Sequence, residues 1–81
     1  MKVIKRDGTT VDFDRSKIVI AIQKANAAVD EEYRIDQAQI DAIADRVGSK
    51  SRSRLLVEDI QDMVERQLMD AGKFELAKAY I

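Results

Sequence analysis

Apolar and polar positions along the chain follow two rhythms, and each predicts its own elements. The first, at the opening, is that of short strands. Lys2 to Arg6 reads as a short strand carrying Val3 and Ile4, Asp7-Gly8 as a turn, and Thr10 to Phe13 as a return strand with Val11 and Phe13 on one face. The rhythm then becomes helical. Ile18, Ile22, Ala25 and Val29 recur at spacings of four, three and four, one face of a helix. Asp14 has the short acceptor side chain of an N-cap, and Phe13 and Ile18 flank it with the spacing of a hydrophobic staple. This helix is expected to end near Val29, ahead of an acidic loop, Asp30-Glu31-Glu32.

A second helix is predicted from Asp36. Asp36 and Gln39 have capping-box spacing, and Ile35 and Ile40 form a second staple. Its apolar face is Ile40, Ile43, Ala44 and Val47, with Gly48 expected just past its end as the C′ residue. A polar loop, Gly48 to Arg54, leads to a very short third strand at Arg54-Leu55-Leu56. The third helix begins near Val57, carries Glu58 and Asp59 in its first turn, and has Ile60, Met63, Val64, Gln67 and Leu68 as its inner stripe. Gly72 closes it. A fourth helix from about Lys73 places Phe74, Ala77 and Ile81 on one face and still runs at the last residue. The pattern predicts an α+β class: a small β-hairpin or three-stranded sheet covering a four-helix bundle, one domain over residues 1–81. The apolar end at Tyr80-Ile81 suggests an excised N-terminal domain whose last helix originally continued.

Composition narrows the chemistry. The 81 residues include no cysteine and no histidine, which removes disulfides, thiolate nucleophiles, Cys-based zinc sites and any histidine base or ligand. The net charge of −1 with 36% charged residues provides no basic footprint for nucleic acid. The longest apolar run, Ile18 to Ile22, falls far short of the roughly 18–20 residues that span a membrane, and charges through the N-terminus do not fit a signal peptide. These features suit a cytoplasmic location.

The main candidate for function is Lys5-Arg6 beside the Asp14-capped helix. A helix N-terminus presents unpaired N–H groups and partial positive charge; lysine adds a point charge and arginine a planar fork. Lys17 sits in the first turn of that helix, where a cation opposes the dipole. Chemistry alone leaves two readings open: an anion grip, or ordinary strand-end charges. Neither GxxxxGK[ST] nor GxGxxG occurs. Asp30-Glu31-Glu32 and the loop cations Lys50, Arg52 and Arg54 read as solvated charge, the latter without an aromatic residue to stack on bases. Tyr33 and Tyr80 form no catalytic pair, and Met63 and Met69 read as packing.

Five blocks in order are similar to the ATP-cone, the allosteric nucleotide-binding domain at the N-terminus of many ribonucleotide reductases. They are Val3 to Gly8, Val11 to Asp14, Lys17 to Ile22, Val57 to Glu65, and Leu76 to Ile81. Val64 to Met69 leading into Ala77 to Ile81 most resembles the anaerobic, glycyl-radical class. The resemblance implies ATP or dATP as allosteric ligand, with magnesium, and a regulatory domain without catalytic residues. It implies the reductase catalytic domain as partner in the parent chain, an oligomer formed through the cone, and no nucleic acid or membrane. By the same resemblance Val3, Ile18 and Ile22 border the adenine, and Lys5 and Arg6 face the phosphates. Asp14 and Lys17 lie near the base or ribose, and Val57 and Gln61 line the opposite wall. Some members carry glutamate at the position of Val11 and histidine at that of Gln61, and further basic residues in the family lie beyond Ile81. Two other readings compete: the cone of a nucleotide-responsive transcriptional repressor, in which a cysteine-bearing zinc ribbon precedes the cone, and a ligand-free interaction module.

Overall fold

The computed structural model describes residues 1–49 and 54–81; the loop positions Lys50 and Arg52 lie outside the described residues. The chain begins with β1 (Lys2–Ile4) and β2 (Thr10–Asp12), paired antiparallel with Val3 opposite Val11. β1 is shorter than the sequence pattern suggests because Lys5 already belongs to the turn. The Gly8 N–H donates to the Lys5 carbonyl at 2.9 Å, and the Lys5 N–H to the Thr9 carbonyl at 2.8 Å. Only Gly8 in this turn has a positive φ, +86°. Asp7-Gly8 therefore does not form the two-residue mirror-image turn; it closes a three-residue loop with glycine in the left-handed position. Asp7 Oδ1 accepts from the Thr9 N–H and hydroxyl, which lowers the Asp7 pKa and stiffens the tip.

A third strand, β3 (Arg54–Leu56), pairs parallel with β1 on its other edge, giving the order β2-β1-β3. Side chains alternate along each strand, so Val11, Val3 and Leu55 form one rung on the inner face. Val3 and Leu55 are buried beneath the sheet and Val11 is half-buried.

Helix α1 (Arg15–Ala27) starts where Asp14 Oδ1 accepts from the Ser16 N–H at 3.0 Å. It ends earlier than the periodicity through Val29 predicts. Arg34 Nε donates to the carbonyls of Asn26 and Val29, and the Asn26 amide pairs with both backbone groups of Ile35. These bonds use polar groups at the helix end that continuing the helix would engage differently. The acidic segment forms a single 3₁₀ turn, Glu31–Tyr33, rather than an open loop. Helix α2 (Gln37–Ser49) opens on the expected capping box: the Gln39 N–H donates to Asp36 at 2.8 Å and the Asp36 N–H to Gln39 at 3.0 Å. Arg15 clamps α1 to α2 through Asp45 at 2.7 Å and Asp41 at 3.1 Å.

Gly48 is not a C′ residue. It lies inside α2 without a positive φ, and the helix continues to Ser49. A Cβ built there would stand 3.5 Å from the Phe13 ring, an ordinary contact. Gly48→Ala is therefore expected to stabilise the fold by about 0.5–1 kcal/mol, seen as a higher denaturant midpoint with unchanged slope.

Helix α3 (Val57–Asp70) follows β3 without a loop, its Asp59 carboxylate accepting from the Leu56 N–H at 3.4 Å. Its end is a Schellman turn. Gly72 adopts φ +76°, its N–H donates to Met69, and the Lys73 N–H donates to Leu68. That turn sets the phase of α4 (Phe74–Tyr80), which differs from the predicted Phe74-Ala77-Ile81 face. Leu76 and Ala77 are buried with Tyr80 packed beside them, whereas Phe74 is 57% and Ile81 83% exposed. α4 packs on α1 and α3, and α2 also contacts both. The centre is aliphatic, built on Ile22, Val47, Val64, Leu68 and Leu76, and no polar or charged residue is buried among the described residues. Polar chemistry is thereby left to the surface and its clefts. No helix among the described residues is long and apolar enough to cross a membrane.

Candidate functional site

A cavity of about 250 Å³ opens between the hairpin and the first turns of α1 and α3. The hairpin supplies Val3, Lys5, Val11 and Asp12; the linker to α1 supplies Phe13 and Asp14. Lys17, Ile18 and Ala21 come from α1, Val57, Ile60 and Gln61 from α3, and Tyr80 from the end of α4. The sheet and the helix faces explain the inner surface. Val3 points inward from the central strand, and Ile18 and Ile60 are buried core residues whose edges reach the cleft. The result is an apolar interior with polar groups confined to its mouth, the usual composition of a small-molecule site.

The charges at the mouth are unevenly satisfied. Asp12 is paired with Lys2, whose bond and charge lower its pKa. Asp14 has its pKa lowered by the Ser16 hydroxyl, 2.6 Å from Oδ1, and by the Ser16 N–H. Lys5 and Lys17 take part in no ion pair among the described residues. Two carboxylates are thus already engaged while two cations remain available, close to two helix N-termini that favour negative charge. Tyr80 presents an aromatic ring to the apolar interior, and burial raises its hydroxyl pKa.

Of the residues singled out from sequence, Val3, Lys5, Asp14, Lys17, Ile18, Val57 and Gln61 are brought together on this cavity. Arg6 does not line it. Its guanidinium crosses the mouth instead, with Nη2 donating to Gln61 Oε1 at 3.1 Å and Nε 3.6 Å from Glu58 Oε1. Ile22 has no exposed surface and lies in the core one turn beyond Ile18. Val11, Asp12, Phe13, Ala21, Ile60 and Tyr80 also line the cavity, beyond the residues expected from sequence. Ala21 could have been found as the residue one turn after Lys17 on the same helix face. Tyr80 could not, because its approach depends on the phase of α4.

The lining combines an apolar interior, the aromatic residues Phe13 and Tyr80, and a rim that carries Lys5 and Lys17. Such a lining suits a small ligand with one apolar and one anionic part. The family model described as "ATP cone domain" matches residues 1–81. The chain is 39% identical over its whole length to the Chlamydia muridarum ribonucleoside-diphosphate reductase subunit alpha, of which the match covers 9%. It is 42% identical over 99% of its length to the vitamin B12-dependent ribonucleoside-diphosphate reductase of Thermoplasma acidophilum, covering 11% of that protein. It is 35% identical over 98% of its length to the anaerobic ribonucleoside-triphosphate reductase of Haemophilus influenzae, again covering 11%. The chain therefore spans about a tenth of the length of these relatives.

Proposed function

The chain belongs to the ATP-cone family, and from that premise we propose that it binds ATP or dATP in the hairpin cavity and regulates a ribonucleotide reductase. The observation that carries this reading is the apolar cleft with Lys5 and Lys17 at its mouth, neither in an ion pair among the described residues. In the proposed complex, Val3, Ile18 and Val57 enclose the base, and Tyr80 offers its ring for stacking. Asp14, Lys17 and Gln61 bond to the base or ribose, while Lys5 and Arg6 hold the phosphates. Ile22, wholly buried, serves only as packing behind Ile18. Magnesium would arrive on the phosphates. No group of three or more metal-ligating His, Cys, Asp or Glu residues occurs among the described residues, and the carboxylates at the mouth are already engaged.

Regulation requires only that the nucleotide bind two states of a larger assembly with different affinity. In this proposal the catalytic chemistry belongs to the rest of a cytoplasmic reductase, with the cone also available for subunit contact. The reductases among the relatives favour this reading over the repressor. The narrower anaerobic assignment rests on the Val64–Met69 and Ala77–Ile81 blocks, since the diphosphate, B12-dependent and anaerobic triphosphate reductases named above match at similar identity, 39%, 42% and 35%.

Calorimetric titration of the chain with ATP, dATP and adenosine tests the proposal. Saturable heat is expected with both triphosphates. At a free nucleotide concentration of one hundred times Kd, unfolding should become harder by about 2.7 kcal/mol. Absence of both heat and thermal stabilisation would leave the ligand-free interaction module as the better reading.

A further inference from the structure

Arg6 differs from the other cations at the cavity mouth because its guanidinium is already held. Gln61 accepts from Nη2 at 3.1 Å, and the Glu58 carboxylate lies 3.6 Å from Nε. Glu58 and Gln61 are three residues apart in the opening turns of α3, so they share a face and receive the guanidinium together. We propose that Glu58 competes with the nucleotide phosphates for Arg6: its carboxylate holds the guanidinium that the phosphate chain must capture, and thereby lowers triphosphate affinity. This inference rests on the nucleotide-binding reading above.

The physical basis is that carboxylate and phosphate seek the same planar donor fork. A phosphate that takes Arg6 displaces Glu58 and leaves its negative charge beside the incoming anion. The same carboxylate offsets the positive end of α3, which would otherwise favour the phosphates. Exposure makes the contact breakable. The Arg6 and Glu58 side chains are 69% and 62% exposed, so their attraction is weak and an incoming phosphate can replace it. Glu58 would thus tune affinity without closing the site. Lys5, at the same mouth and outside any ion pair among the described residues, would make the first contact with the phosphates, and Arg6 would follow by exchanging partners.

The test is titration of ATP, adenosine and inorganic tripolyphosphate into the native chain, Glu58→Gln, Arg6→Ala, and the Arg6→Ala/Glu58→Gln pair. Glu58→Gln should bind ATP and tripolyphosphate about two- to five-fold more tightly, with adenosine unchanged. Its melting temperature without ligand should stay level or fall, so affinity and stability do not rise together. The gain should shrink in the Arg6→Ala background. Equal or weaker ATP binding by Glu58→Gln overturns the inference while leaving nucleotide binding intact. A parallel gain for adenosine, or a gain undiminished without Arg6, also overturns it. Failure of both the native chain and Glu58→Gln to bind ATP removes the nucleotide reading, and this inference with it.

Discussion

Replacing Lys5 and Arg6 together with alanine is expected to weaken ATP and dATP binding by about ten- to a hundred-fold while leaving adenosine binding nearly unchanged. A hydrogen bond to a charged group contributes about 1.5–3 kcal/mol, and tenfold in affinity is about 1.4 kcal/mol. Two lost phosphate contacts would exceed the stated range if both counted in full. They do not, because Arg6 must first release Glu58 and Gln61. Calorimetry with the three ligands at fixed ionic strength measures the split. Equal losses for triphosphate and nucleoside would place these residues in general support of the hairpin rather than on the phosphates. Higher salt should narrow the difference between native and altered chains, because the contacts lie at an exposed mouth where ions screen them.

Leu76→Ala should have the largest effect on stability, about 2–5 kcal/mol. A domain of this size has a total stability on the order of 4–12 kcal/mol, so the variant approaches the threshold of folding. The reason is local. α4 has only seven residues, and its burial depends on Leu76 and Ala77, which are 0% and 3% exposed. A helix this short is not stable without packing. Losing Leu76 should loosen α4 and withdraw Tyr80 from the cavity wall. Urea unfolding measures the first effect, and adenosine titration under conditions where the variant is folded measures the second. A stability loss below about 1 kcal/mol would mean that neighbouring side chains collapse into the space.

How much of this was legible in the sequence depended on the range of the interactions. The Asp14 cap, the Asp36–Gln39 box and the Gly72 closure were readable because their partners lie within a few residues. The start of α3 was readable because Glu58 and Asp59 mark a helix's first turn. Gly48 departs from its expected place because glycine after an apolar face resembles a helix stop, whereas the helix continues to Ser49 and Phe13 lies against it. The buried face of α4 differs from the expected one because its rotation is fixed by the Schellman turn and by packing on α1 and α3, not by its own short periodicity. The candidate site followed the same division. Lys5, Asp14 and Lys17 stand in one local motif and line the same cavity. Arg6 reaching Gln61 joins residues 55 apart, and no local pattern announces such a contact.

The parallel pairing of β1 with β3 has a consequence for the order in which the chain becomes whole. β1 is the central strand, yet its second neighbour is synthesised about fifty residues later. Until Arg54–Leu56 emerges, a nascent hairpin has one ladder of β1 unfilled, open to other extended chains. The cavity also lacks its α3 wall during that interval. On the proposed reading, a nucleotide present during synthesis would therefore have no complete pocket to stabilise until the second half of the chain is made. It should protect the finished domain against unfolding more effectively than it rescues incomplete chains from aggregation.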